Sequence, residues 1–255
     1  VDYQTFKEKV GVLCGINLSY YKSQQMDRRI NSLMQAWGIT EYGEYLHVLE
    51  TDHEKFREFV NKLTINVSEF FRNPERFIEL WEKVIPEMLK KYSQIRIWSA
   101  GCSDGSEPYS ISIIVSELRA RDRVKIVATD IDREILAKAK EGIYGANDLR
   151  SLPVHLQEKY FEKNGSNFIL KDEIKRMVEF RHHNLLHDPY ETNVHLIVCR
   201  NVVIYFTEEA KNNIYTKFYQ SLVPGGYLLV GGTEPILQYR QLGFEHALTS
   251  FYKKP

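Results

Sequence analysis

Neither sign of charge is in surplus in this sequence, since 34 Lys and Arg residues offset 34 Asp and Glu across 255 positions. A chain without a net field has no overall attraction to nucleic acid or to an anionic membrane surface, so recognition of charge has to be local. Cysteine is scarce as well. Cys14, Cys102 and Cys199 are odd in number and far apart, which suits neither a disulfide framework nor a zinc cluster and points to the reducing cytoplasm. No apolar run approaches the roughly 18 residues of a membrane span. The first residues, with Asp2, Lys7, Glu8 and Lys9, lack the apolar core of a signal peptide, so neither secretion nor membrane insertion is expected. The start at Val1 implies that a little natural sequence precedes it.

What the chain does have is 43% hydrophobic positions, enough for one large or two smaller cores. Its pattern divides near residue 72. Residues 1–72 read as helical throughout, with no alternating strand and no internal repeat. Between Ser19 and Gly38, for example, Met26, Ile30, Leu33, Met34 and Trp37 share one helical face, and Gly38 ends the helix. Residues 73–255 open on Asn73-Pro74, an N-cap followed by proline at the first helical position. Pro86 is expected to kink or split that helix. Apolar runs then alternate with helical stretches: IRIWSA, VKIVATD, MVEFRHHN, HLIVCRNVVIYF and YLLVGG. Such alternation predicts an α/β, doubly wound, mainly parallel sheet. The tail EHALTSFYKK follows without a full crossover helix and is expected to pair antiparallel at the sheet edge. Between about 157 and 180 the alternation breaks, and Asn164-Gly165 marks a hairpin in a small antiparallel β-subdomain.

Ligands of open parallel sheets bind beyond the carboxyl ends of the strands. The residues at those ends form a polar rim: Gly101, Ser103, Gly105 and Glu107 after the first strand, Asp130 after the second, Asn184 and Leu185 after the third, and Arg200, Asn201 and Tyr205 after the fourth. Singly, each has a structural use, as a turn glycine or a cap. Jointly they outline a ligand site.

Gly101-Cys102-Ser103-Asp104-Gly105 fits two patterns, the G-x-S-x-G elbow of hydrolases and a glycine-rich nucleotide loop. The elbow reading leaves Asp130, Glu107 and Asn201 without a role. Asp130 stands where doubly wound folds place an acid on ribose hydroxyls, which implies a nucleoside. Glu107, in the first turn of the following helix, would repel a pyrophosphate but suits a cationic ligand. S-adenosylmethionine, with a ribose, an ammonium and a sulfonium but no phosphate, meets both conditions better than a dinucleotide. The backbone at Gly101 would approach its methionine end.

With these residues in view, the chain resembles the CheR family of chemotaxis receptor glutamate methyltransferases. The likeness rests on TINVSEFFRN at 64–73, WSAGCSDGSEPYSI at 98–111, ATDID at 128–132, HNLL at 183–186 and CRNVVIYF at 199–206. It implies a class I, Rossmann-like methyltransferase domain with a β-subdomain, preceded by an all-helical domain. By position, cofactor contacts would fall on Asn66, Ser68, Arg72, Glu107, Asp130, Asn184, Leu185, Asn201 and Val202. Arg72 and Tyr205 would stand beside the methyl transfer, and no metal is implied. The implied products are glutamyl methyl esters and S-adenosylhomocysteine. Chemoreceptor cytoplasmic domains would be the partners, met in part by Arg28 and Arg29, and a receptor tail could add to the β-subdomain. Two other outcomes share this fold: a non-catalytic cofactor-binding module that docks protein partners, and methylation of nucleic acid or a small molecule. The sequence departs from the family pattern at Ser106, where an acid is usual, at Ser68, at His195, and at Thr233-Glu234, where histidine-serine-glutamate is common.

Overall fold

The computed structural model describes residues 1–64 and 68–255. These fall into two compact units: Val1–Asn66 with Ile204–Asn212, and Val67–Val203 with Asn213–Pro255.

Four helices build the first unit: α1 (Tyr3–Cys14), α2 (Ser23–Ala36), α3 (Tyr42–Thr51) and α4 (His53–Thr64). The expected apolar face of α2 is the buried one, with Met26, Ile30, Leu33 and Met34 all inside. Trp37 caps that helix instead of filling its core, donating from its indole to Glu58 and meeting the Tyr45 ring edge-on. Gly38 adopts φ +69 and donates to the Gln35 carbonyl, closing the helix end.

In the second unit, Pro74 opens α5 (Pro74–Glu79), which runs through a wide π-helical stretch, Leu80–Val84, into α6 (Ile85–Lys91). Pro86 accounts for the widening. A proline ring collides with the carbonyl four residues back, and the chain responds with a bond from the Ile85 N–H to the Leu80 carbonyl, one residue longer than the α-helical pattern. The expected split is therefore a bulge in a continuous rod.

After it come β1 (Ile95–Ala100), α7 (Ser106–Glu117), β2 (Val124–Asp130), α8 (Arg133–Glu141), β3 (Ile143–Gly145), α9 (Val154–Tyr160), β4 (Phe161–Asn164), β5 (Asn167–Leu170), α10 (Asp172–Lys175), β6 (Val178–His182), β7 (Val194–Cys199), α11 (Glu208–Ser221), β8 (Leu222–Val230), β9 (Glu245–Leu248) and β10 (Phe251–Lys253). The large sheet has the order β6-β2-β1-β7-β8-β10-β9. Its first five strands are parallel, and β10 inserts antiparallel between β8 and β9, as the short tail predicts. Strands β1 and β7 are buried along almost their whole length, the signature of a sheet covered on both faces. Because β1 lies between β2 and β7, strand order reverses there, and the switch point at which open sheets bind ligands falls at the carboxyl ends of β1 and β7.

Helix α7, which follows β1, is buried nearly all round. Three of its four serines tolerate this because they return their hydroxyls to carbonyls four residues earlier: Ser110 to Ser106, Ser112 to Pro108 and Ser116 to Ser112.

The β-subdomain is a three-stranded antiparallel sheet in the order β3-β5-β4. It begins earlier than the sequence pattern suggests, at Ile143, because β3 pairs with β5 across the intervening helix. The hairpin sits where expected, but Asn164 pairs with Asn167 and the loop is Gly165-Ser166. Gly165 supplies the positive φ, +61, at the first loop position, as a Gly-X turn requires.

His195, the departure at the start of β7, accepts the Arg96 amide at Nδ1, 3.1 Å away. Burial holds its imidazole below the ordinary value of 6.5. A histidine that stays neutral when folded contributes stability at neutral pH, and this is lost as the pH falls through the unfolded value. Relative to His195→Gln, which retains an acceptor and does not titrate, the wild type is expected to lose thermal stability as pH falls from 7 to 5. Equal pH dependence of the two melting curves would refute this.

Candidate functional site

The loop after β1 is shaped by two glycines. Gly101 sits at φ +79, and a Cβ there would lie 2.4 Å from Val202 Cγ2. Gly105 sits at φ +86, and its Cβ would press on Ala139, Tyr109 and Phe180 at 3.0–3.2 Å. The Gly101 and Cys102 amides both donate to the Thr129 carbonyl at the end of β2, which binds the loop to the neighbouring strand. Ser103 is left-handed too, at φ 50, and donates its amide to Asp130 Oδ2 at 2.8 Å. Ser103 is thus part of the loop's frame, and its backbone faces an acid; the hydrolase elbow gains nothing from this arrangement.

Asp130 accepts a second amide, from Asp132, at Oδ1, and leaves the capping of α8 to Asp132 itself. Each carboxylate oxygen keeps a lone pair for a further donor. Burial pushes the Asp130 carboxyl up to about 6, opposed by the amides of Asp132 and Ser103.

Glu107 projects from the first turn of α7, where Ser99 donates to Oε1 at 2.8 Å and Arg200 Nη1 stands 3.5 Å from Oε2. Burial raises its carboxyl, and the Arg200 charge works against that rise. Ser106, beside it, is fully buried, and its hydroxyl has no hydrogen-bond partner among the described residues. An acid held in that packing would be buried without a donor, which accounts for a small neutral residue here.

Arg200 joins the rim together. Its Nη2 donates to the Arg72 carbonyl at 2.6 Å and to Asn73 Oδ1 at 2.7 Å, and its guanidinium lies over the Phe77 ring. Asn73 therefore does not cap α5 with its side chain, contrary to the sequence expectation. It sits at φ 58, with its amide oxygen turned to a buried cation, and a charge-assisted bond outweighs a cap. Phe71, at φ 53, is pinned by its amide to Ser110 Oγ. Two left-handed residues flanking Arg72 cost about 1–3 kcal/mol each. Burial of Phe70 and Phe71 returns roughly 1.5–3 kcal/mol apiece and holds the segment.

Of the remaining expected residues, Asn184 is buried and folds its side chain onto the Leu186 amide, with Leu185 buried beside it. Ser68 hydrogen-bonds Asp104 from its side chain. Asn66 lies outside the described residues. Asn201 is left-handed, at φ 58, and its amide donates to Glu234.

Tyr205, with the stretch Ile204–Asn212, belongs to the helical unit. Its carbonyl accepts the Lys22 amide and the Tyr20 carbonyl accepts the Thr207 amide, so Tyr21 and Phe206 form an antiparallel bridge. Arg29 stacks over the Tyr205 ring at 4.9 Å and donates to the Leu63 carbonyl at the end of α4. Arg28 lies exposed on α2.

Two features support an adenosyl cofactor at this rim. Arg200 Nε is buried without a partner among the described residues, a donor awaiting an acceptor, and Gly101 allows the backbone an approach that a side chain would block. Among the described residues no group of three or more His, Cys, Asp or Glu side chains could hold a metal ion, and no helix is long and apolar enough to cross a membrane.

The chain thus joins a mainly parallel sheet with a polar rim at its switch point, a small β-subdomain and a helical unit. Residues 66–250 match the family described as CheR methyltransferase, SAM binding domain, and residues 1–64 match CheR methyltransferase, all-alpha domain. The chemotaxis protein methyltransferase of Listeria innocua is 39% identical over 254 residues, covering 99% of this chain and 97% of that protein. Its counterpart in Borreliella burgdorferi is 38% identical, covering 94% and 89%, and that of Salmonella typhimurium is 35% identical, covering 86% and 78%. The chain belongs to the CheR methyltransferase family.

In the sequence Arg200 is one residue of the rim with no evident partner, and Glu234 only part of a departure from the family pattern. A charged residue closing an otherwise apolar strand was the available signal for Arg200.

Two outcomes follow from this geometry. Gly101→Ala is expected to destabilise the fold by more than about 1 kcal/mol, since it combines a positive φ with a collision, readable in denaturant unfolding. Arg29→Ala and Arg29→Lys are both expected to cost about 1 kcal/mol, because lysine lacks the planar fork that stacks and donates together; full rescue by lysine would contradict this.

Proposed function

We propose that this protein is a protein-glutamate O-methyltransferase acting on chemoreceptor cytoplasmic domains. The observation that carries the reading is membership of the CheR methyltransferase family along nearly the whole chain, joined to the rim at the switch point. The names of the relatives, chemotaxis protein methyltransferases, support receptors as the substrate class. The cytoplasm is the compartment this implies.

Bound S-adenosylmethionine supplies an electrophilic methyl group on a sulfonium. A glutamate side chain, with a pKa near 4.3, is already ionised at neutral pH, so its oxygen can attack without a general base. The protein's task is then alignment, which supplies several kcal/mol of the barrier. In this reading the Arg72 guanidinium and the Tyr205 phenol orient the carboxylate. Arg72 should not bind it too tightly, because a neutralised nucleophile is a slower one. Asp130 accepts the ribose hydroxyls, Arg200 Nε and Gly101 face the amino-acid end, and Ser68, Arg72, Glu107, Asn184, Leu185, Asn201 and Val202 complete the pocket. The products are the glutamyl methyl ester and S-adenosylhomocysteine.

Labelled cofactor and a receptor cytoplasmic fragment are expected to give base-labile methyl incorporation; its absence with several receptors would refute the substrate. Tyr205→Phe is expected to lose turnover while still binding S-adenosylhomocysteine, which separates an enzyme from a non-catalytic docking module. Because the ribose contact uses the ionised form of Asp130, affinity for S-adenosylhomocysteine is expected to fall below pH about 6, approaching tenfold per pH unit. A flat calorimetric profile between pH 7 and 5 would remove Asp130 from the contact.

A further inference from the structure

Strands β7 and β8 pair as far as Cys199 and Val230. Beyond that point the two chains part, and the Asn201 and Gly231 amides are left without ladder carbonyls. Both turn instead to one atom. Glu234 Oε2 accepts the Asn201 amide at 2.6 Å and the Gly231 amide at 2.9 Å. Glu234 is itself buried, and its own amide donates to the Gly231 carbonyl at 3.0 Å, which closes the turn that brings the carboxylate back. The approach depends on glycine: a Cβ on Gly231 would lie 2.1 Å from Oε2. A buried carboxylate bonded by two amides is a strong, directional acceptor, and it fixes Asn201 in the left-handed conformation, which asparagine adopts more readily than most residues.

We propose that Glu234 is a positioning residue for the cofactor, fixing the Asn201-Val202 segment by acting as the missing rung of the β7–β8 ladder. This rests on the cofactor reading above. Glu234 acts through Asn201 and Val202. Val202 also packs on Gly101, so one carboxylate braces two sides of the loop that would receive the amino-acid end of the cofactor. Its effect falls on cofactor binding and leaves the transfer step alone.

The test uses the full chain with Glu234→Ala, Glu234→Gln and Gly231→Ala. S-adenosylhomocysteine affinity is read by calorimetry, KM and kcat by methyl incorporation, and the two amides by hydrogen exchange. Loss of a buried acceptor shared by two donors is expected to weaken S-adenosylhomocysteine about tenfold or more in Glu234→Ala. The cofactor KM is expected to rise in step, with kcat at saturation retained. Glu234→Gln, which keeps one acceptor oxygen, is expected to recover most of that loss. Gly231→Ala, which displaces the carboxylate with Glu234 intact, is expected to reproduce it, and serves if Glu234→Ala does not fold. Exchange at Asn201 and Gly231 is expected to quicken while Val198 and Leu229 stay protected. Wild-type affinity in Glu234→Ala, a loss in Glu234→Gln as large as in alanine, or unchanged exchange at Asn201 would each overturn the proposal. If the wild type itself fails to bind S-adenosylhomocysteine, the cofactor reading falls, and exchange alone judges the rung.

Discussion

A single buried cation organises the site. The Arg200 guanidinium lies almost wholly out of water, and burial lowers its pKa against the pull of Glu107. Taking such a charge from water costs several kcal/mol, which only close partners offset. The partners come from two parts of the chain: Glu107 on α7, and the adjacent Arg72 carbonyl and Asn73 side-chain amide oxygen. Breaking such a set by removing one partner typically costs about 3–5 kcal/mol, because the remaining charge stays buried. Arg200 therefore sets where the backbone on either side of Arg72 can run.

Backbone strain is concentrated around the same place. Of the seven non-glycine residues with positive φ among the described residues, Phe71, Asn73, Ser103 and Asn201 belong to the rim. Each is held from outside by a fixed acceptor or donor: the Ser110 hydroxyl, the Arg200 guanidinium, the Asp130 carboxylate and the Glu234 carboxylate. Strained residues persist where surroundings over-determine them. Here the acids and the arginine do that before any ligand arrives, so the rim is shaped in advance and cofactor binding need not order it.

What could be seen in the sequence was whatever depends on near neighbours. The glycine loop, Asp130 at the end of β2, the buried face of α2 and the antiparallel tail each follow from local pattern and turn chemistry. Contacts across the chain were not visible. Glu107 meets Arg200 across 93 positions and Asn201 meets Glu234 across 33, and no periodicity encodes either. Asn73 shows how such a contact overrides a local preference: next to proline it reads as a cap, yet a buried guanidinium claims its oxygen. The early start of the β-subdomain at β3 has the same origin, since its pairing with β5 spans a helix and carries no turn signal.

The helical unit is not one continuous piece of chain. The stretch around Tyr205 leaves the sheet after β7, forms its bridge with Tyr20-Tyr21-Lys22, and returns along α11. A cut near residue 66 would thus separate Tyr205 from the backbone and the arginine that hold it. Exchange of helical parts between relatives by a single crossover would bring together two half-bridges that had never been matched. A working chimera has to carry both segments from the same parent, so these separate stretches of the gene are expected to be inherited as one unit.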